Sequence, residues 1–204
     1  MRLLAVLALV PTTAVAHPEP SPATAPAPPP AMADRWFTVA GMYDRANHGG
    51  GVRVEVDLWA YRGWRLGAAM STAETSTDLT FNGNITGYLA LRDHKLMAVA
   101  AHHIDVDGLV VRGAVGAGVV KTVADGMVQP YAYGDPNQRD ATSGDGVFTV
   151  LEASVAVAQP VSKDWALTAG AVATRYVQTL HLTTVSIERD ATELMWMGGV
   201  KRRL

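Results

Sequence analysis

The clearest pattern in this chain is an alternation of apolar and polar residues in segments of strand length, separated by short turn sequences. Segment 79–91 shows it best, because successive side chains of a strand point to opposite faces. One face carries Leu79, Phe81, Gly83, Ile85, Gly87, Leu89 and Leu91, and the other carries Thr80, Asn82, Asn84, Thr86 and Tyr88. About 9–11 such residues cross the hydrocarbon of a membrane, provided that a closed sheet pairs every backbone amide. We therefore expect the apolar face to contact lipid.

Turn signals and alternation together predict an all-β fold, an up-and-down antiparallel transmembrane β-barrel of about 10 strands. An even number returns both termini to one side of the membrane. Eight strands is the alternative, because segment 127–134 is short and contains Pro130, which cannot donate a ladder hydrogen bond. The predicted strands are 35–46, 51–61, 64–74, 78–91, 95–105, 109–123, 127–134, 147–159, 164–184 and 192–203.

The predicted connections alternate between the two sides of the membrane. Periplasmic turns are expected at 62–63, 92–94, 124–126 and 160–163, and external connections at 47–50, 75–77, 105–108, 134–146 and 188–191. Four tryptophans lie close to the predicted periplasmic ends, as in an interfacial aromatic belt: Trp36, Trp59, Trp64 and Trp165. Alternation nevertheless turns Trp59 toward the interior.

The N-terminal residues have the pattern of an export signal. Basic Arg2 precedes an apolar core from Leu3 to Val10 and the small residues Ala14-Val15-Ala16, so residues 1–16 are predicted to be a signal peptide cleaved after Ala16. Residues 17–33 are rich in proline and alanine, which predicts a flexible, extended linker. The barrel is expected to occupy residues 34–204.

Composition narrows the function classes. The net charge of −2 gives no reason to expect a nucleic-acid partner. The chain has no cysteine, which excludes disulfides, thiolate metal sites and a cysteine nucleophile. Charged residues make up only 18% of the chain, below the ~25% of ordinary soluble domains, and this favours a membrane protein.

With a signal peptide, alternating strands and short periplasmic turns, residues 35–204 resemble small bacterial outer-membrane barrels of the OmpA-like and opacity-protein kind. The resemblance rests on architecture and implies a Gram-negative outer-membrane location with lipid as the main partner. Members of that family usually end on Phe or Trp. This chain ends on Leu204, which shares a face with Val200 and Trp196 but is separated from them by Arg202.

Charged residues on the predicted inner face are the main candidates for chemistry. They are Arg53, Glu55, Asp57, Arg65, Arg112 and Glu152. Desolvating one such charge alone costs several kcal/mol, so we expect a mutually paired lumen network. An ion or solute path is the weaker alternative.

Two other segments carry polar groups. His102 and His103 are adjacent on a strand and so point to opposite faces, which argues against a shared metal ion. Residues 135–146 are predicted to form an external loop, with Asp135, Asn137, Arg139, Asp140 and Asp145 as candidates for contact with an extracellular ligand or surface partner. No serine has a recognisable histidine partner in the sequence, and we expect no cofactor or metal.

The sequence therefore predicts a non-enzymatic outer-membrane barrel, structural or surface-binding, with at most a narrow pore like that of a small porin. A soluble exported β-barrel that binds a small apolar ligand is the main alternative. It would turn its apolar face inward and show Arg53, Glu55 and Asp57 to water. An outer-membrane lipid-modifying enzyme is a second alternative.

Overall fold

Eight antiparallel strands close into a ring in which each strand pairs with its neighbours in sequence and the last pairs with the first. The computed structural model describes residues 35–46, 49–81, 84–129 and 140–204. The strands are β1 (Trp36–Asp44), β2 (Gly49–Tyr61), β3 (Trp64–Phe81), β4 (Asn84–Val106), β5 (Leu109–Val128), β6 (Asp140–Pro160), β7 (Trp165–His181) and β8 (Ser186–Arg203). These residues include no helix long and apolar enough to cross a bilayer.

The predicted fold class is confirmed, with the alternative count of eight strands, and the preferred count of ten is wrong. Segments 92–94 and 124–126 lie inside β4 and β5, and segments 75–77 and 188–191 lie inside β3 and β8. Segment 78–91, predicted to be one strand, contains a chain reversal, since Phe81 pairs with Asn84. The two residues between them are Asn-Gly, the dipeptide that two-residue hairpins favour.

The two ends of the barrel differ in their connections. The turn end carries the Arg62-Gly63 and Asp107-Gly108 turns, segment 161–164 and both termini of the ring. Both dipeptides have positive φ at both residues, 46° and 84° in the first and 52° and 81° in the second, as in type I′ hairpins. The connection at 105–108 was expected on the opposite side. That expectation is wrong, because the strands predicted from sequence include four connections before residue 105 and the structure has three.

The loop end carries the other four connections, and there the strands have unequal lengths. β1 and β2 have 9 and 13 residues, whereas β3 to β8 have 17 to 23. We call the part of β3 to β8 that extends past the β1–β2 hairpin the crown, and the remainder of the barrel the body. At its two edges the crown comprises residues 75–81 of β3 and 186–195 of β8.

The outside of the body is apolar. Val115, Leu151 and Leu167 are among the outward side chains, each more than half exposed. Toward the turn end the outside also carries aromatic rings, including Trp64 and Trp165, and the Arg202 guanidinium lies 5.5 Å from the centre of the Trp165 ring. An apolar band ending in aromatic residues is the surface of a lipid-embedded barrel.

Trp59 belongs to the outer aromatic group, contrary to the expectation that it points inward. The register between β2 and β3 shifts between Asp57 and Trp59, so Asp57 pairs with Gly67 and Trp59 pairs with Leu66. This bulge places Leu58 and Trp59 both outside, at 57% and 44% exposure. The Trp59 ring then lies 5.8 Å from the Tyr61 ring.

The crown has the opposite polarity, with an apolar interior and a polar exterior. Leu89 and Leu91 were expected to face lipid, but both are buried inside, where they pack with Ala124, Leu180 and Leu182. The outside carries exposed ion pairs, among them Arg92–Glu74 and Arg175–Asp190. Lower in the same strand β4, Leu96 is 58% exposed on the outside. The inner and outer faces therefore exchange polarity along the same strands. The body has the pattern of a barrel in lipid, and the crown has the pattern of a barrel in water.

Candidate functional site

The interior of the body holds a network of buried charges, which includes all six predicted lumen residues. Strand β2 contributes Arg53 and Glu55, which alternation directs inward. The Arg53 guanidinium lies 2.7 Å from the Glu152 carboxylate of β6 and 3.2 Å from that of Glu55. Arg112 of β5 makes an ion pair with Glu55 and donates a hydrogen bond to the Ser154 hydroxyl at 3.3 Å. Arg53 and Arg112 thus each contact a carboxylate, which offsets the cost of desolvating their charges.

The remaining predicted pair lies nearer the turn end. The Arg65 guanidinium of β3 is 3.7 Å from the Asp57 carboxylate of β2. The sequence reasoning did not include Lys201 of β8, although its side chain is also buried and its ammonium lies 5.7 Å from the Trp36 ring. Alternation along β8 would have placed Lys201 inside, opposite the outward Val200.

Lys95 is a further member that the sequence reasoning missed. Its ammonium lies 3.9 Å from the Glu152 carboxylate and donates a hydrogen bond to the Thr174 hydroxyl at 2.9 Å. Lys95 was assigned to the start of a strand after a turn at 92–94. A continuous strand places both Asp93 and Lys95 inside.

A second charge cluster lies where the body meets the crown. The Arg189 guanidinium is 2.9 Å from the Asp93 carboxylate, also makes an ion pair with Glu193, and lies 3.6 Å from the centre of the Tyr176 ring. The Thr122 hydroxyl donates a hydrogen bond to Asp93 at 2.6 Å. The pairing of Arg189 with Asp93 joins β8 to β4 across the interior, whereas Glu193 belongs to β8 itself.

These side chains leave little open volume in the middle of the barrel. The cavity lined by Arg53, Glu55 and Arg112 measures about 20 Å³, which is room for about one water molecule. An apolar cluster that includes Met97, Val120 and Tyr176 fills the adjoining interior. A lumen packed in this way suits a structural interior better than a path for hydrated ions.

The cavities near the two ends of the barrel are larger. The turn-end cavity of about 230 Å³ is lined by Arg65, His103 and Lys201, among others. The loop-end cavity of about 600 Å³ opens at the crown, between the β1–β2 hairpin and β8. Its apolar lining includes Leu79, Leu89, Leu91, Leu180 and Ile187. Inward polar side chains also line it, namely Asp44, Thr75, Arg189 and Glu193.

The two adjacent histidines lie on opposite faces of β4, as predicted, and the predicted external-loop residues fall partly in a strand. His102 lies outside, where its ring contacts the Trp64 ring at a tilt of 48° with ring centres 4.8 Å apart, whereas His103 lines the turn-end cavity. The described part of the chain contains no group of three or more metal-ligating side chains. Asp135, Asn137 and Arg139 lie outside the described residues. Asp140 and Asp145 belong to strand β6 and not to a loop.

One side-chain pair contradicts the statement that no serine has a histidine partner. His181 and Ser186 face each other at the ends of β7 and β8, and Nδ1 lies 2.9 Å from the hydroxyl oxygen. Among the described residues, His181 has no carboxylate partner, so the pair lacks the third group of a catalytic triad. The residues are five apart in sequence, and only the hairpin register reveals that they meet.

Comparison with solved structures supports the fold. Neisserial surface protein A matches with a TM-score of 0.54 and 10% sequence identity over 83% of this chain and 97% of that one. A major outer membrane protein from Thermus thermophilus matches with a TM-score of 0.57 and 13% identity over 84% of this chain and 100% of that one. No family model matches the chain, and no curated protein matches its sequence.

Proposed function

We propose that this chain is a non-enzymatic outer-membrane barrel that anchors its crown at the cell surface and does not conduct ions. The turn end belongs to the periplasmic side, and the loop end, which carries the one long connection between β5 and β6, belongs outside. The apolar exterior of the body and the export signal predicted for residues 1–16 support this placement.

The observation that carries the closed-lumen part of the proposal is the pairing of Arg53 with both Glu55 and Glu152 around a cavity of about 20 Å³. A conducting pore needs a continuous watery path, whereas here paired side chains from β2, β5 and β6 meet in the middle. The charges hold one another in place, because separating any pair would leave a desolvated ion.

The alternatives fit the structure less well. A soluble barrel would present its charges outside the body, but Arg53, Glu55 and Asp57 lie inside while Val115 and Leu151 are exposed. A lipid-modifying enzyme finds its best support in the His181–Ser186 contact at the loop end, where no carboxylate among the described residues orients the imidazole.

Planar-bilayer recording tests the closed lumen. The purified full-length protein should insert and remain heat-modifiable on a gel, yet add no stepwise current to the membrane. The double variant Arg53→Ser with Glu152→Ser removes both charges of one pair and widens the lumen, so it should show small openings. Stable single-channel steps from the unaltered protein would refute the closed lumen, and absence of heat-modifiability would refute the membrane barrel.

A further inference from the structure

The crown is a ring of strands with one gap. Strand β1 pairs with β8 only up to Tyr43 and Trp196, and β2 pairs with β3 only up to Gly50 and Glu74. Beyond these levels, β3 continues by pairing with β4 and β8 by pairing with β7. The described residues place no strand between residues 75–81 of β3 and 186–195 of β8. Over the part of the chain that the structure describes, the crown wall therefore has a lateral opening above the β1–β2 hairpin.

The loop-end cavity extends through this opening. Its lining includes Ile187 and Arg189, which point inward from β8, and also Thr192, Leu194 and Trp196, which point outward from the same strand. Alternate residues of a strand lie on opposite sides of the wall. A single cavity can contact both the inward and the outward residues of β8 only at the edge of that strand, where the wall ends. The cavity therefore connects the crown interior with the outside of the barrel.

The same opening adjoins the lipid-facing band of the body. Leu194 and Trp196 are half or more exposed on the outside of β8, and Tyr43 is the cross-strand partner of Trp196. The inner lining includes Leu79, Leu91 and Ile187. They pack on Leu89 and Leu180, which are at most 1% exposed. Apolar side chains thus extend from the membrane band, through the opening, to the packed leucines of the crown interior.

We infer that the loop-end cavity binds an acyl chain that enters through the lateral opening. The volume of about 600 Å³ lies within the ~300–1,000 Å³ that holds small ligands. The inner lining offers the methyl and methylene groups of Leu79, Leu91 and Ile187. It also includes Arg189, whose guanidinium is already paired with Asp93 and Glu193. The rim carries the polar groups of Arg45 and Glu188. This arrangement fits an amphiphile whose chain is buried and whose headgroup stays at the rim. The inference rests on the membrane placement proposed above.

Photo-crosslinking on the unaltered protein provides the first test. Palmitate with a diazirine near its methyl end is added to the protein in lipid nanodiscs, and a phosphatidylcholine with the same acyl label is built into separate discs. Peptide mass spectrometry should locate adducts on the inward residues Leu79, Leu91 and Ile187. Labelling by palmitate alone identifies a free fatty acid as the source, and labelling by both probes identifies membrane lipid. Adducts confined to outward residues such as Tyr88 and Val177 overturn the inference.

Cavity filling provides the second test. Ile187→Trp places an indole in the cavity and should reduce labelling of the inward residues at least several-fold. Val177→Trp adds the same side chain outside the crown, where Val177 is 67% exposed, and should leave labelling unchanged. Unchanged labelling in a folded Ile187→Trp protein overturns the inference. Heat-modifiability of every sample separates this outcome from a failure of the barrel to insert, which would instead contradict the membrane placement.

Discussion

The Arg53 guanidinium lies 2.7 Å from the Glu152 carboxylate and thereby joins β2 to β6 across the barrel interior. These strands are not neighbours in the ring, so the pair stabilises the closed shape in a way that ladder hydrogen bonds do not. The Glu152 carboxylate also lies 3.9 Å from the Lys95 ammonium, and its loss therefore affects two cations.

Glu152→Gln should lower the free energy of unfolding by about 3–5 kcal/mol, because it leaves Arg53 and Lys95 buried without that carboxylate. Urea titration in lipid vesicles, followed by the heat-modifiable band, measures the change. Glu74→Gln is the matched control. Its ion pair with Arg92 at 3.3 Å is more than half exposed, and such pairs contribute about 0–1 kcal/mol. Equal losses in both variants would contradict a buried, structural network.

Val115→Arg should block assembly, because Val115 points outward in the apolar band and a lipid-facing arginine costs roughly 2–4 kcal/mol. Val177→Arg makes the same change on the outside of the crown, beside the exposed Arg175–Asp190 pair, and should assemble normally. The yield of heat-modifiable protein in membrane fractions is the measurement. If both variants assembled equally well, the boundary between the body and the crown would be misplaced.

Leu89→Ala should destabilise the crown by about 2–5 kcal/mol, since it opens a cavity among fully buried leucines. Leu96→Ala removes the same atoms from the lipid-facing side, where lipid chains fill the space, and should cost less. Hydrogen exchange of the crown strands detects the difference. Faster exchange after Leu96→Ala than after Leu89→Ala would contradict the observed orientation of β4.

The body was predictable from sequence because a single rule applies throughout it. Apolar residues face lipid and polar residues face the lumen, so alternation alone identified Arg53, Glu55 and Glu152 as inward residues. Their burial and mutual contacts agree with that reasoning. The bulge before Trp59 is the local exception, since a one-residue insertion reverses every later side chain on the strand.

The crown was not predictable by the same rule, because the two faces exchange polarity within continuous strands. Around Arg92-Asp93-His94, β4 passes from an apolar inner face to an apolar outer face, and a run of polar residues there resembles a turn. The sequence therefore yielded extra strands, and Lys95 was not recognised as a lumen residue. The Asn82-Gly83 dipeptide was the available signal for the true hairpin.

Replacing residues 130–139 with a Gly-Ser linker of equal length should leave the barrel assembled and its unfolding midpoint unchanged. The flanking residues Val128 and Asp140 already pair with each other, so the ladder between β5 and β6 is complete on both sides of the replaced segment. Hydrogen exchange of the neighbouring strands and the heat-modifiable band measure the result.

Shifting the same replacement to residues 137–146 should destabilise the crown, because these residues include the first part of β6. Thr183 donates a backbone hydrogen bond to the Ser143 carbonyl at 3.0 Å, and the Thr142 and Thr183 hydroxyls lie 3.2 Å apart. Losing these contacts should speed exchange in the β7–β8 hairpin while the body stays protected. If the barrel failed to assemble after replacement of 130–139, this segment would contribute to folding. If the two variants exchanged hydrogen equally fast, the first residues of β6 would not stabilise the crown.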